Sequence, residues 1–152
     1  MPMPWTYRHS SKEFSAFLED VKEEMSLQSD NSAYTAVEGV LLVFRRRLTA
    51  QEGLAFASVL PTVLRAIFVK DWDISQPPVP FGDRASLTRE AQALRPHHNL
   101  TPENAIEATA RALRRSIRQQ DLDRVLARLP EGAEAFWHVE VSDPRELEQR
   151  II

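Results

Sequence analysis

Residues 33–72 are written twice. Shifted by 69 positions, Ala36-Val37-Glu38 falls on Ala105-Ile106-Glu107, Arg45-Arg46 on Arg114-Arg115, Gln51-Glu52 on Gln120-Asp121, and Leu60-Pro61 on Leu129-Pro130. No gap is needed between Ser32/Thr101 and Ala66/Ala135. Self-similarity at a fixed spacing implies one supersecondary unit used twice, with copies that bury their apolar faces together. It constrains architecture and leaves function open.

Size and composition narrow the rest. A chain of 152 residues, 43% of them hydrophobic, has material for one domain with a shared core. Residues 1–80 carry 8 Lys+Arg against 10 Asp+Glu, and residues 81–152 carry 11 against 12, which sums to the formal −3. So even a balance gives no electrostatic case for bulk nucleic-acid or anionic-membrane binding, although it leaves room for a local basic patch. The absence of cysteine removes disulfides, Cys-ligated metal centres and a Cys nucleophile. With 4 glycines, a hairpin-rich β fold lacks its turns. The start, Met1-Pro2-Met3-Pro4-Trp5, has no apolar leader. The longest apolar run, residues 40–44, is far short of the ~20 a membrane span needs. The expectation is a cytoplasmic protein with no membrane contact.

Residues 1–9 read as a lead-in arm, with Trp5 and Tyr7 available to pack. Ser10 and Glu13 have capping-box spacing for a first helix striped by Phe14, Phe17, Leu18, Val21 and Met25. Ser32 reads as the cap of a second helix striped by Ala33, Ala36, Val37, Val40, Leu41, Phe44 and Leu48. Leu42 points away from that stripe: either the helix is covered on two sides, or Leu42 is a stray exposed leucine. Its counterpart Arg111 predicts a wetter second copy. Thr49 and Glu52 form another capping box, opening a third helix through Leu54, Phe56, Ala57 and Leu60. Pro61 either begins a separate helix over 61–69 or kinks a continuous one.

Residues 73–84, with Pro77, Pro78, Pro80 and Gly82, form a semi-rigid linker. A short helix is expected over 86–95. Thr101-Pro102-Glu103 then reads as the strongest helix start in the chain, leading into Ala105, Ile106, Thr109, Ala112, Leu113 and Ile117. Residues 119–129 supply Leu122, Val125, Leu126 and Leu129, and residues 130–137 repeat the post-proline helix with Phe136 and Trp137. Asp143-Pro144-Arg145-Glu146 opens either a short docked helix or a frayed end.

Few residues suggest chemistry. Arg45, Arg46 and Arg47 recur as Arg114, Arg115 and, displaced, Arg118. Such clusters fit an anion or nucleic-acid patch, or cations at helix C-termini complementing the macrodipole at ~0.3–1 kcal/mol each. Glu38 and Glu107 recur without a partner His or second acid at helical spacing, so no catalytic motif is formed. Adjacent His97 and His98 are awkward joint ligands, and His9 and His138 stand apart from them. Asp71-Trp72-Asp73 resembles half of a cation loop without further oxygen ligands. There is no glycine-rich phosphate loop, serine elbow or His-Glu-x-x-His. No metal and no cofactor is expected. The repeated Leu-Pro steps with their aromatics either line a pocket or close a core.

The features at 14–21, 48–61, 103–107 and 121–137 resemble the bacterial family known as domain of unknown function 2267, over about residues 13–137 and best over 104–137. That resemblance implies tandem helical repeats in a cytoplasmic bacterial protein and brings no established activity or catalytic residues. The long proline linker, and Arg118 standing where Thr49 caps in the first copy, depart from it.

Together these features predict an all-α fold: a single domain, 1–152, made as a helical bundle of two pseudo-symmetric repeats. Repeat one spans about 10–72, the linker 73–84, repeat two about 85–140 and a tail 141–152. The expected role is a non-catalytic protein-interaction or self-association module. The alternative is an anion or nucleic-acid binder through Arg45, Arg46, Arg114 and Arg115. An enzyme would need an unrecognised site on Glu38, Glu107 or His97/His98.

Overall fold

The computed structural model describes residues 2–95, 97 and 100–151. Its helices are α1 (Trp5–Arg8), α2 (Ser10–Met25), α3 (Asp30–Arg45), α4 (Ala50–Ala57), α5 (Thr62–Val69), α6 (Arg84–Ala93), α7 (Ala105–Ser116), α8 (Gln119–Leu126) and α9 (Ala133–Trp137), followed by a 3₁₀ turn, Pro144–Leu147. Among the described residues there is no strand, and the fold is all-helical.

The apolar stripes explain the packing. Phe17, Leu18, Val21 and Met25 turn the inner face of α2 onto α7 and α3. In α3, Ala36, Val37, Val40, Leu41 and Phe44 are buried, and the helix is packed between α6, α2 and α7. The long helices α2 and α3 therefore each lean on a helix from later in the chain. On the far side of α3 the backbone of α6 comes close: a Cβ on Gly39 would stand 3.4 Å from the Ala91 carbonyl oxygen. Leu42 is half-buried in this seam beside Leu94, so α3 is covered on two sides. Its counterpart Arg111 is also half-buried, paired with Glu107 at 3.6 Å and donating to the Glu140 carbonyl at 3.0 Å.

The core is closed by aromatics from both post-proline helices. The Phe44 ring lies 4.7 Å from Phe56, 4.9 Å from Phe136 and 5.3 Å from Trp137; Phe56 lies 5.1 Å from Phe68. Such pairs contribute roughly 0.5–1.5 kcal/mol each beyond the area they bury. Leu60, Phe68, Phe136 and Trp137 are all buried, so these residues close a core.

Several local expectations are corrected. Ser10 does not cap α2; His9 precedes the helix, and Glu13 instead accepts from the Thr6 hydroxyl at 2.8 Å. Thr6 also shares a 2.9 Å hydroxyl contact with Thr62, which docks residues 5–8 as a short helix and not as a loose arm. The cap of α3 is Ser29, accepting from the Ser32 N–H at 3.1 Å, because the helix starts three residues earlier than Ser32 implied. α6 starts at Arg84, capped by Asp83, whose carboxylate accepts from the Ser86 N–H at 2.7 Å. Thr101 does not cap α7. Residues 102–104 form a turn in which the Pro102 carbonyl accepts from the Ala105 N–H at 3.1 Å, and Asn104 precedes the helix. The Thr49–Glu52 box is present in full, with bonds of 2.8 and 3.2 Å. Pro61 divides two separate helices and sits one residue before α5; after Pro130, Gly132 at φ 104 precedes α9. The tail forms the 3₁₀ turn, with Leu147 buried and Asp143 capping it.

Candidate functional site

The repeated arginines lie in separate places, and each has an internal partner. Arg45, the last residue of α3, donates through Nη1 to the carbonyls of Phe68 and Lys70, both at 2.9 Å, at the C-terminal end of α5. Its guanidinium also lies 5.4 Å from the Trp72 ring centroid, and burial lowers its pKa. Arg114, 69 residues on, donates through Nε to the Trp137 carbonyl at 2.9 Å, again 69 residues beyond Phe68. Arg114 is buried and also reaches Gln119 at 3.1 Å and Asp123 at 3.3 Å. Both arginines therefore cap the C-terminus of the post-proline helix that follows them. A cation there satisfies orphan carbonyls and meets the negative end of the helix dipole.

The second arginine of each pair crosses to the other half of the chain. Arg46 pairs with Glu90 of α6 at 3.3 Å, and Arg115 with Asp20 of α2 at 3.1 Å. Arg47 also bonds Glu90, through Nη2 at 3.0 Å, and donates from Nη1 to the Val43 carbonyl at 2.8 Å. The Arg47 hydrogen bonds hold the Glu90 carboxyl below the usual glutamate range, against the opposing effect of its partial burial. Ser116 stands 69 residues after Arg47 and donates to the Ala112 carbonyl at 2.8 Å, the counterpart of Val43. The second guanidinium on Asp20 comes instead from Arg150 in the tail.

Four clefts border these groups, among them an open one of about 590 Å³ along the polar side of α2, lined by Asp20, Lys22, Glu23 and Arg150. Another of about 480 Å³ lies between α1, α2, the end of α7 and the tail, lined by Trp5, Glu13, Asp20, Arg115, Ser116 and Arg150. A third, about 380 Å³, lies beside Arg45, Arg46 and Trp72; a fourth, about 190 Å³, beside Arg114, Asp123 and His138. Arg45 and Arg46 share a cleft, whereas Arg114 and Arg115 face different ones.

The other sequence candidates are scattered. Glu38 accepts from the Tyr34 hydroxyl at 2.7 Å, which raises the tyrosine pKa, and Glu107 pairs with Arg111. His97 is exposed; His98, like Pro96 and Asn99, lies outside the described residues. The His9 ring lies 5.0 Å from that of Trp5, tilted by 37°, and His138 bonds Glu140 at 2.7 Å at the surface. Among the described residues no three His, Asp or Glu side chains are placed to hold one metal ion. No described helix is long and apolar enough to cross a membrane.

The sequence did not disclose Arg84, Asp20 or Arg150. Arg84 donates to the carbonyls of Ala135, Phe136 and His138 at 3.2, 2.8 and 2.6 Å, a second clamp on α9. Its partners lie more than 50 residues away, and no local pattern marks them. Asp20 lies outside the apolar stripe of α2, yet it is 6% exposed.

The class these observations define is an all-helical protein whose helix ends are tied together by arginine. Residues 14–136 match the family described as uncharacterized conserved protein (DUF2267), and the chain belongs to that family. No curated protein matches it.

Proposed function

We propose that the chain is one domain, built from two copies of one helical unit joined by residues 73–84, and that it works in the cytoplasm as a non-catalytic module binding a protein partner or a second copy of itself. Support for the duplication comes from the matched donors and acceptors: Arg45 to Phe68 and Arg114 to Trp137 share one spacing at both ends. One observation carries the functional reading. The repeated arginines are engaged internally, while Met3 just before α1, and Trp5 and Tyr7 on it, are exposed to solvent at 55%, 39% and 49% beside the cleft that Arg115 and Arg150 line. Aromatic residues of this kind dominate protein contact surfaces, where one buried anchor contributes about 2 kcal/mol or more.

The experiment is light scattering behind size-exclusion chromatography across a concentration series, with crosslinking mapped to residues. Association that weakens on Trp5→Ala with Tyr7→Ala supports the reading. A strict monomer at the highest concentration, with no partner crosslinked through α1, overturns it.

Arg46 favours a second reading, an anion or nucleic-acid patch, because its side chain is about half exposed despite its pairing with Glu90. Binding of duplex DNA at 50 mM salt that disappears on Arg46→Ala and Arg115→Ala would favour that alternative; none is expected, since each guanidinium already has a carboxylate.

A further inference from the structure

The two acid–arginine clusters are built alike up to one position. At Glu90 both guanidiniums come from neighbouring residues, Arg46 and Arg47. At Asp20, Arg115 matches Arg46, but a serine stands where Arg47 does, and the cleft opens beside it. The trailing chain compensates. In the first copy the Val79 N–H donates to the Arg46 carbonyl at 3.1 Å; in the second the Arg150 N–H donates to the Arg115 carbonyl at 2.7 Å. From that anchor the Arg150 side chain enters the cleft, with Nη2 on Asp20 and Nη1 on the Ala16 carbonyl at 3.3 Å.

We propose that this cleft is a binding site for an arginine side chain carried on a peptide segment, and that Arg150 is its resident, displaceable occupant. The proposal deepens the reading of the protein as an interaction module, and rests on it, by naming what one site takes.

The chemistry favours guanidinium. Two acceptors, a carboxylate of a 6%-exposed aspartate and a main-chain carbonyl, receive different nitrogens of one planar group, which a lysine ammonium cannot reproduce in the same geometry. Trp5 lines the cleft, and an indole near a cation site adds attraction for a guanidinium. With Arg150 withdrawn, Asp20 and Glu13 oppose Arg115 alone, so the lining carries one net negative charge. The Arg115 carbonyl adds a main-chain acceptor, so a peptide is recognised by backbone as well as side chain.

Displacement is local. Leu147 is buried and anchors the tail, whereas Glu148 and Gln149 are exposed and Ile151 is 98% exposed. Only the segment beyond Leu147 needs to lift for an arginine from another chain to enter.

The test is an NMR titration of the full chain with a capped Leu-Glu-Gln-Arg-Ile peptide, the sequence of residues 147–151, and its Arg→Lys counterpart, read on the Trp5 indole N–H. Arg150→Ala protein should bind the arginine peptide at least tenfold more tightly than the unsubstituted chain, whose site is filled in cis, and the lysine peptide at least tenfold more weakly. Ser116→Arg, which recreates the arrangement around Glu90, should block the peptide in the Arg150→Ala background while leaving the circular dichroism unchanged. Equal binding by the Arg150→Ala and unsubstituted proteins overturns the proposal, as does undiminished binding by a folded Ser116→Arg variant. Neither result touches the association measurement on α1, so the two readings fail separately.

Discussion

Glu90 and Asp20 present the same problem in the two halves of the molecule: an acid on one helix must be neutralised by the end of a neighbour. Around Glu90 the solution is local. Arg47 follows directly from α3, already ordered by its own helix, and its guanidinium also satisfies the carbonyls of Val43 and Pro80. Around Asp20 the second guanidinium arrives on the tail, and fixing each tail residue costs about 1–2 kcal/mol of backbone entropy. Both acids end with two arginines, yet the net stabilisation differs because the ordering cost does. A cluster completed from within a helix is framework; one completed by a trailing segment has a removable part.

The largest effect should come from removing a helix-capping arginine. Arg114→Ala should cost about 2–4 kcal/mol, because it leaves the buried Trp137 carbonyl without its donor. Arg45→Ala, at a half-buried site, should cost about 1–2 kcal/mol. Urea melts of the pair measure the gap; equal values would show that the deeper burial of Arg114 adds nothing to its cap. Next in size, Arg47→Ala should cost about 2 kcal/mol and Arg150→Ala about 1 kcal/mol or less, since Asp20 keeps Arg115. A larger loss at Arg150 than at Arg47 would reverse the distinction drawn above.

The smallest effect is in acid. Glu90 has its carboxyl pKa depressed in the folded state, first by the Arg47 hydrogen bond. Its stabilising contribution is therefore full above the unfolded glutamate value and lost as pH falls through the folded one. The stability difference between the unsubstituted chain and Glu90→Gln should be present at pH 6 and close progressively below about pH 4.3. A difference that stays constant down to pH 3 would mean that the carboxylate contributes nothing through its charge.

Local signals were read best where the interaction is itself local. The Thr49 box needs only residues 49 and 52, and it is present; the apolar stripes of α2 and α3 are buried where their 3.6-residue period puts them, apart from half-buried Phe14. Ser10 and Ser32 also read as caps, but a tertiary partner, Thr6, took Glu13, and an earlier serine took the cap of α3. The Leu-Pro steps gave separate helices because the residue before proline resists helical geometry. The arginine clusters were visible as residue types and invisible as contacts. The expectation was an anion patch or the dipole at a helix end, whereas the actual acceptors of Arg45 and Arg114 are carbonyls 23 residues on in both cases. That separation was nonetheless recoverable, because donor and acceptor recur at one shared spacing.

Because α2 leans on α7 and α3 on α6, the stretches flanking the proline segment share one interior. A free half would meet its complement only by collision, and its integrity would follow concentration. Residues 73–83 abolish that dependence: tethering at such short range sets an effective concentration on the order of millimolar. Dilution, which dissolves an exchanged pair of separate chains, leaves this architecture intact.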